Sequence, residues 1–132
     1  MAPGPLLRRV DAVTIPVPGL DEGLRFYRDG LGHELVWRND DIGQAGLRLP
    51  DGDTEIVLTE RQGYAPAWLV ASAVEAARIM AEAGGRVVGG PSDIPVGTVV
   101  VVEDPFGNRL VLVDLRKGTY VTDAAGRVLD VR

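Results

Sequence analysis

Pro50-Asp51-Gly52-Asp53-Thr54-Glu55-Ile56-Val57-Leu58 and Pro105-Phe106-Gly107-Asn108-Arg109-Leu110-Val111-Leu112 are two versions of one local design. In each, a Pro-x-Gly-Asp/Asn turn feeds an aliphatic strand. Proline presets φ, while Gly and Asn or Asp tolerate the positive φ that a tight reversal needs. In the first copy Thr54, Ile56 and Leu58 alternate with Glu55, Val57 and Thr59, the period of a strand with two different faces. The spacing from turn to strand differs by one residue between the copies, which lie roughly 55 residues apart, and an internal duplication accounts for them.

The same order surrounds both copies. Val13, Ile15 and Val17 alternate with Ala12, Thr14 and Pro16 in a first strand. After Pro18-Gly19, residues Leu20, Leu24, Tyr27 and Leu31 recur at helical spacing, with Asp21 and Glu22 in the first turn and Gly30 and Gly32 as the stop. Strands follow at 34–38, 45–49 and 54–60. In the second half a strand is expected at 68–71. Ser72-Ala73-Val74-Glu75 then forms a capping box that opens a helix with Val74, Ala77 and Ala81 in register, closed by Gly84-Gly85. Strands at 86–88, 98–103 and 109–115 complete it, the first two separated by the turn-rich Gly89–Pro95. Each half is strand, helix, strand, strand, strand. Such a unit covers one sheet face with its helix and leaves the other bare, so two units side by side enclose a cleft. Residues 1–9, with Pro3, Gly4 and Pro5, read as a loose arm. Residues 117–132 read as a hairpin turning at Asp123-Ala124-Ala125-Gly126, too small to be stable unless it packs on the domain or on a second chain.

Composition narrows the chemistry. The 132 residues carry a net charge of −5, no cysteine and one histidine, His33. Disulfides, thiolate metal sites and a catalytic thiol are excluded, as is any site needing two histidines of one chain. An acidic chain without a Lys/Arg run is a poor partner for nucleic acid. Apolar runs such as Val99–Val102 are too short for a bilayer, and no signal-peptide pattern is present, so a cytoplasmic protein without membrane partners is expected.

Val13-Thr14-Ile15-Pro16-Val17-Pro18, Phe26-Tyr27-Arg28-Asp29-Gly30-Leu31-Gly32 and Asp104-Pro105-Phe106-Gly107-Asn108-Arg109-Leu110, in this order, resemble the vicinal oxygen chelate superfamily. This is the glyoxalase/bleomycin-resistance/extradiol-dioxygenase group. The resemblance runs from about residue 9 to 116, with Gly19 where the family often has a capping Asp. It implies an α+β fold: two tandem βαβββ modules (about 10–61 and 66–116) forming a cup-shaped mixed sheet with helices outside, a likely setting for neither DNA nor lipid but for a small molecule. It also implies a homodimer. In the family's metalloenzymes a divalent cation sits in the cup, held by His, Glu or Gln from the first and last strand of each module. Carried over, those positions fall on Ala12, on Trp68 (or Ala67 with a one-residue slip), on Val111, and on Val57 (or Glu55). Alanine and valine have no donor atom, so no metal and no other cofactor is expected.

The residues left to carry function are Trp68, Trp37, Thr14, Thr59, Arg109, Val57 and Val111 as ligand contacts, and Glu55 as the one candidate catalytic group, a general base beside Val57 and Val111. Trp68 is expected to point into the cup, as a stacking surface or as a plug. Five aromatics, Trp37, Trp68, Tyr64, Phe106 and Tyr120, lie off the helices; Phe26 and Tyr27 read as helix-packing residues. His33 reads as a strand-start side chain, and Asp104 as the first residue of a turn rather than a catalytic acid. The resulting expectation is a metal-independent protein that sequesters an aromatic or amphipathic molecule. The alternatives are a metal-free isomerase, lyase or ring-opening enzyme using Glu55, and a metal-dependent lyase or dioxygenase with displaced carboxylate ligands.

Overall fold

Alternation and capping translate into the expected element order. The computed structural model describes residues 4–132, so the first three residues of the expected arm lie outside it. The fold is α+β. One βαβββ set is β1 (Arg9–Pro16), α1 (Leu20–Leu24, continued by a wider π turn over Arg25–Gly30), β2 (Leu35–Asn39), β3 (Gln44–Arg48) and β4 (Glu55–Thr59). The other is β5 (Ala65–Leu69), α2 (Ala73–Glu82), β6 (Arg86–Ile94), β7 (Gly97–Glu103) and β8 (Arg109–Asp114). A hairpin, β9 (Tyr120–Thr122) and β10 (Val128–Val131), ends the chain.

The chain divides into two compact units. Residues 12–65 with 120–130 form the first, and residues 66–119 with 4–11 and 131–132 the second. In the first unit the strand order is β2-β3-β4-β1, with β1 parallel to β4 and the other pairs antiparallel. Leu20 and Leu24 of α1 close over Ala45, Leu47 and Leu58, with Ile15, Val17, Leu35 and Ile56 around them. Burying each of these leucines contributes roughly 1.5–3 kcal/mol. Gly23 lets the helix sit this low, because a Cβ there would meet Val17 Cγ1 at 2.9 Å. Phe26, expected to pack, is 58% exposed and lies edge-on against Tyr27. The helix has widened by then: Leu31 N–H bonds to Phe26 O, an i→i+5 step that turns residues off the α-helical stripe.

In the second unit the order is β5-β8-β7-β6, with β5 parallel to β8. Ser72 Oγ accepts from Glu75 N–H, the expected cap of α2. The buried stripe of α2 is Ala73, Ala76 and Ala77, joined by Met80, whereas Val74 is 58% exposed. The expected stripe of Val74, Ala77 and Ala81 is therefore rotated. The cause is Asp114, 1% exposed, whose Oδ2 accepts from Ala73 N–H at 2.7 Å and turns Ala73 inward. The segment Gly89–Pro95, expected as a turn, is largely strand: β6 runs to Ile94 with register shifts on either side of Gly89. Gly90, at φ +77, supplies the backbone that this bulged edge needs. The arm is not loose over its described length, since Leu6 and Leu7 pack on the α2 cluster and Arg8 N–H bonds to Leu69 O.

The hairpin seats on its own chain. Arg38 N–H bonds to Gly126 O at 2.8 Å, and Arg38 and Arg127 form a parallel bridge, which covers the outer edge of β2.

Candidate functional site

A sheet with a helix on one face presents its chemistry on the other. In the first unit the register sets Trp37 of β2, Gly46 of β3, Val57 of β4 and Thr14 of β1 in one row across the strands. Asn39, Gln44, Thr59 and Pro16 form the next row, and Arg48, Glu55 and Ala12 the row on the other side. Five expected site residues, Thr14, Trp37, Glu55, Val57 and Thr59, thus share the face opposite Ile56 and Leu58. Trp37 reaches it through an irregularity. Leu35 packs toward α1 and Trp37, two residues later, should follow it, but a register shift between them sends the indole to the opposite face.

Trp37 is held from three sides. Its Nε1–H donates to Glu55 Oε1 at 2.9 Å. Its ring lies across Gly46, where a Cβ would stand 2.0 Å from Nε1, so only glycine admits it. Tyr120 of β9 meets it with ring centroids 4.8 Å apart and planes inclined by 43°. Burial pushes the Tyr120 hydroxyl above its ordinary pKa, and a hydrogen bond with the Asn39 side chain opposes this in part. Tyr120 was placed among the off-helix aromatics by sequence but not in the site; no local signal ties residue 120 to residue 37.

The two threonines are occupied by the fold. Thr14 Oγ1 lies 2.8 and 3.0 Å from the carbonyls of Gly63 and Ala65, and Thr59 Oγ1 accepts from Arg61 and Gln62 N–H. Glu55 is the carboxylate of this face, and its Oε1 accepts from the indole N–H. His33 stands just before β2, its Nδ1 3.2 Å from Arg48 O, as a strand-start side chain. Asp104 Oδ1 accepts from Phe106 and Asn108 N–H, and Gly107 has φ +88, so Asp104 organises a turn.

In the second unit the helix-free face carries Ala67, Leu69, Val99, Val101, Val111 and Val113, all aliphatic, by register with β8. Trp68 is not on it. Trp68 pairs with Leu112 and packs with the cluster beneath α2, which corrects the expectation that it points into the cup. The reason is that β5 starts at Ala65, and the parity of the parallel β5–β8 pair gives the facing position to Ala67. Arg109 is exposed at the start of β8, opposite Glu103 in register.

The donor set decides whether the cation of the family's metalloenzymes would fit. Ala12, Val57, Ala67 and Val111 offer only C–H groups, and Glu55 Oε1 is engaged by the indole. One carboxylate does not replace the six oxygen ligands that such a cation takes. Among the described residues no three His, Asp or Glu side chains cluster as metal ligands.

The Glyoxalase/Bleomycin resistance protein/Dioxygenase superfamily profile matches residues 9–112. This chain belongs to that superfamily. Among solved structures, the methylmalonyl-CoA epimerase from Mycobacterium tuberculosis is similar at 25% identity and TM-score 0.66, over 86% of this chain and 92% of that one. A Streptomyces coelicolor methylmalonyl-CoA epimerase variant bound to 2-nitronate-propionyl-CoA is similar at 24% identity and TM-score 0.65, over 82% and 97%. No curated protein sequence matches. Superfamily members share this scaffold across unlike chemistries, so the site and not the fold must carry the function. No helix among the described residues is long and apolar enough to cross a membrane.

Proposed function

We propose that this superfamily member binds a small aromatic or amphipathic molecule against Trp37, without a metal. The observation that carries this reading is the indole itself: an aromatic ring fixed by Glu55, Gly46 and Tyr120 and buried except for 8% of its surface, which a ligand would meet. A ring that is already immobilised loses little conformational entropy when a planar ligand stacks on it. The aliphatic residues at the carried-over ligand positions of this unit, Ala12 and Val57, suit an apolar partner and not a cation. A thermal-shift screen of aromatic compounds tests the reading, with Trp37→Phe and Trp68→Phe compared. Hits should stabilise wild type and Trp68→Phe alike and lose most of their effect in Trp37→Phe. Equal shifts in all three proteins would sink it.

A second reading is favoured by the likeness to the epimerases: proton transfer on a carbonyl-activated carbon, with Glu55 as base. It predicts turnover that survives chelation and is abolished in Glu55→Gln. In either case the protein is read as acting in the cytoplasm as a homodimer, and a monomeric mass in light scattering would remove the second part.

A further inference from the structure

Away from the Trp37 face, a cleft of about 650 Å³ opens where the hairpin meets the outer edge of β2. Three arginines line it: Arg28 from the end of the first helix, Arg38 from β2 and Arg127 from the hairpin. Leu35, Ala125 and Val128 supply an apolar part of the wall. We infer that this cleft binds the oxyanion of a small molecule with a short apolar body, a phosphate monoester or a carboxylate.

Two independent observations carry the inference. The first is unspent donor capacity. A guanidinium has five N–H groups in a fixed fork. Arg38 uses Nε on Asp40 and Nη1 on Asp21, which fixes its plane and leaves Nη2 without a side-chain partner among the described residues. Arg28 uses Nε on Asp29. The Arg127 guanidinium has no side-chain partner among the described residues. The second is the Arg38–Arg127 bridge itself, which brings the two backbones side by side so that both side chains line one cleft. An oxyanion between the two forks would accept from both guanidinium groups. Two carboxylates also line the cleft; Asp40 is bound by Arg38, and Asp41 disfavours ligands with a second anionic group.

Phenyl phosphate, benzoate and the neutral benzyl alcohol are suitable probes, titrated at constant ionic strength against the amide resonances of the ¹⁵N-labelled protein. The expected result is saturable shifts centred on Asp40, Gly126 and Arg127 with an anionic probe and none with benzyl alcohol. The tighter of the two anions assigns the head group. Arg127→Gln should weaken binding about tenfold, as losing one charge-assisted contact does, and Arg28→Gln gives an independent second variant. Shifts that fail to saturate, or affinities unchanged in both variants, overturn the inference.

Discussion

Trp37 Nε1–H donates to Glu55 Oε1 across the bare backbone of Gly46, a 2.9 Å bond between side chains of β2 and β4 that leaves no room for a Cβ on β3. The indole and the carboxylate hold each other, and the glycine makes their meeting possible.

Gly46→Ala therefore has a specific consequence. The new methyl would fall 2.0 Å from Trp37 Nε1, so the indole must leave its position and Glu55 must lose its donor. Overpacking of this kind costs about 1–3 kcal/mol, and loss of the indole–carboxylate bond adds to it. Urea denaturation should show the loss, and near-ultraviolet circular dichroism should lose the Trp37–Tyr120 signal. A near-ultraviolet spectrum identical to wild type would contradict the placement.

Asp114 governs the second unit. Its carboxylate, 1% exposed, accepts from Ala73 N–H at 2.7 Å and Thr98 N–H at 3.0 Å, pinning the start of α2 to β7. Asp114→Ala leaves those donors without a partner and should destabilise by about 3 kcal/mol. Asp114→Asn keeps one acceptor oxygen and should cost less. Chemical denaturation of the two variants measures the difference, and equal costs would mean that the retained oxygen contributes nothing.

Two aspartates impose opposite pH dependences. Hydrogen bonds from the Asn108 side chain and main chain hold Asp104 below the usual carboxylate range. Its contribution is present above the unfolded value of 3.8 and is lost as pH falls through the lower folded value. Burial raises Asp11, an effect that Arg9 only partly offsets. Asp11 therefore penalises the fold at neutral pH, and the penalty is relieved as pH falls through the raised folded value toward 3.8. Asp11→Asn should raise stability at neutral pH and steepen the acid loss, since the compensating gain is gone. Urea midpoints measured across the acid range check both signs; a destabilised Asp11→Asn at neutral pH would count against the burial argument.

Purified protein should contain no stoichiometric divalent metal, and chelation should leave its melting temperature unchanged. A cation bound at about 100 times its dissociation constant would add about 2.7 kcal/mol, which a thermal melt would detect on its removal. Elemental analysis showing one equivalent would restore a metal-dependent reading.

The sequence by itself determined the elements. Alternation at Val13, Ile15 and Val17 and at Ile56 and Leu58, the Ser72–Glu75 cap and the Asp104 turn are local patterns, set by backbone sterics and by hydrogen bonds a few residues long. It also determined that Ala12, Val57 and Val111 offer no metal donor, because that follows from side-chain chemistry alone. Tertiary structure decided which way the two tryptophans point. Side-chain parity in a strand flips with a shift of one residue, and the shift depends on the partner strand. For Trp68 the pairing of β5 with β8 turned the indole under α2 and gave the open face to Ala67. For Trp37 an irregularity after Leu35 turned it out. The seat of the hairpin was equally invisible, since Tyr120 meets Trp37, and Arg127 meets Arg38, across more than 80 residues of chain that only the folded backbone brings together.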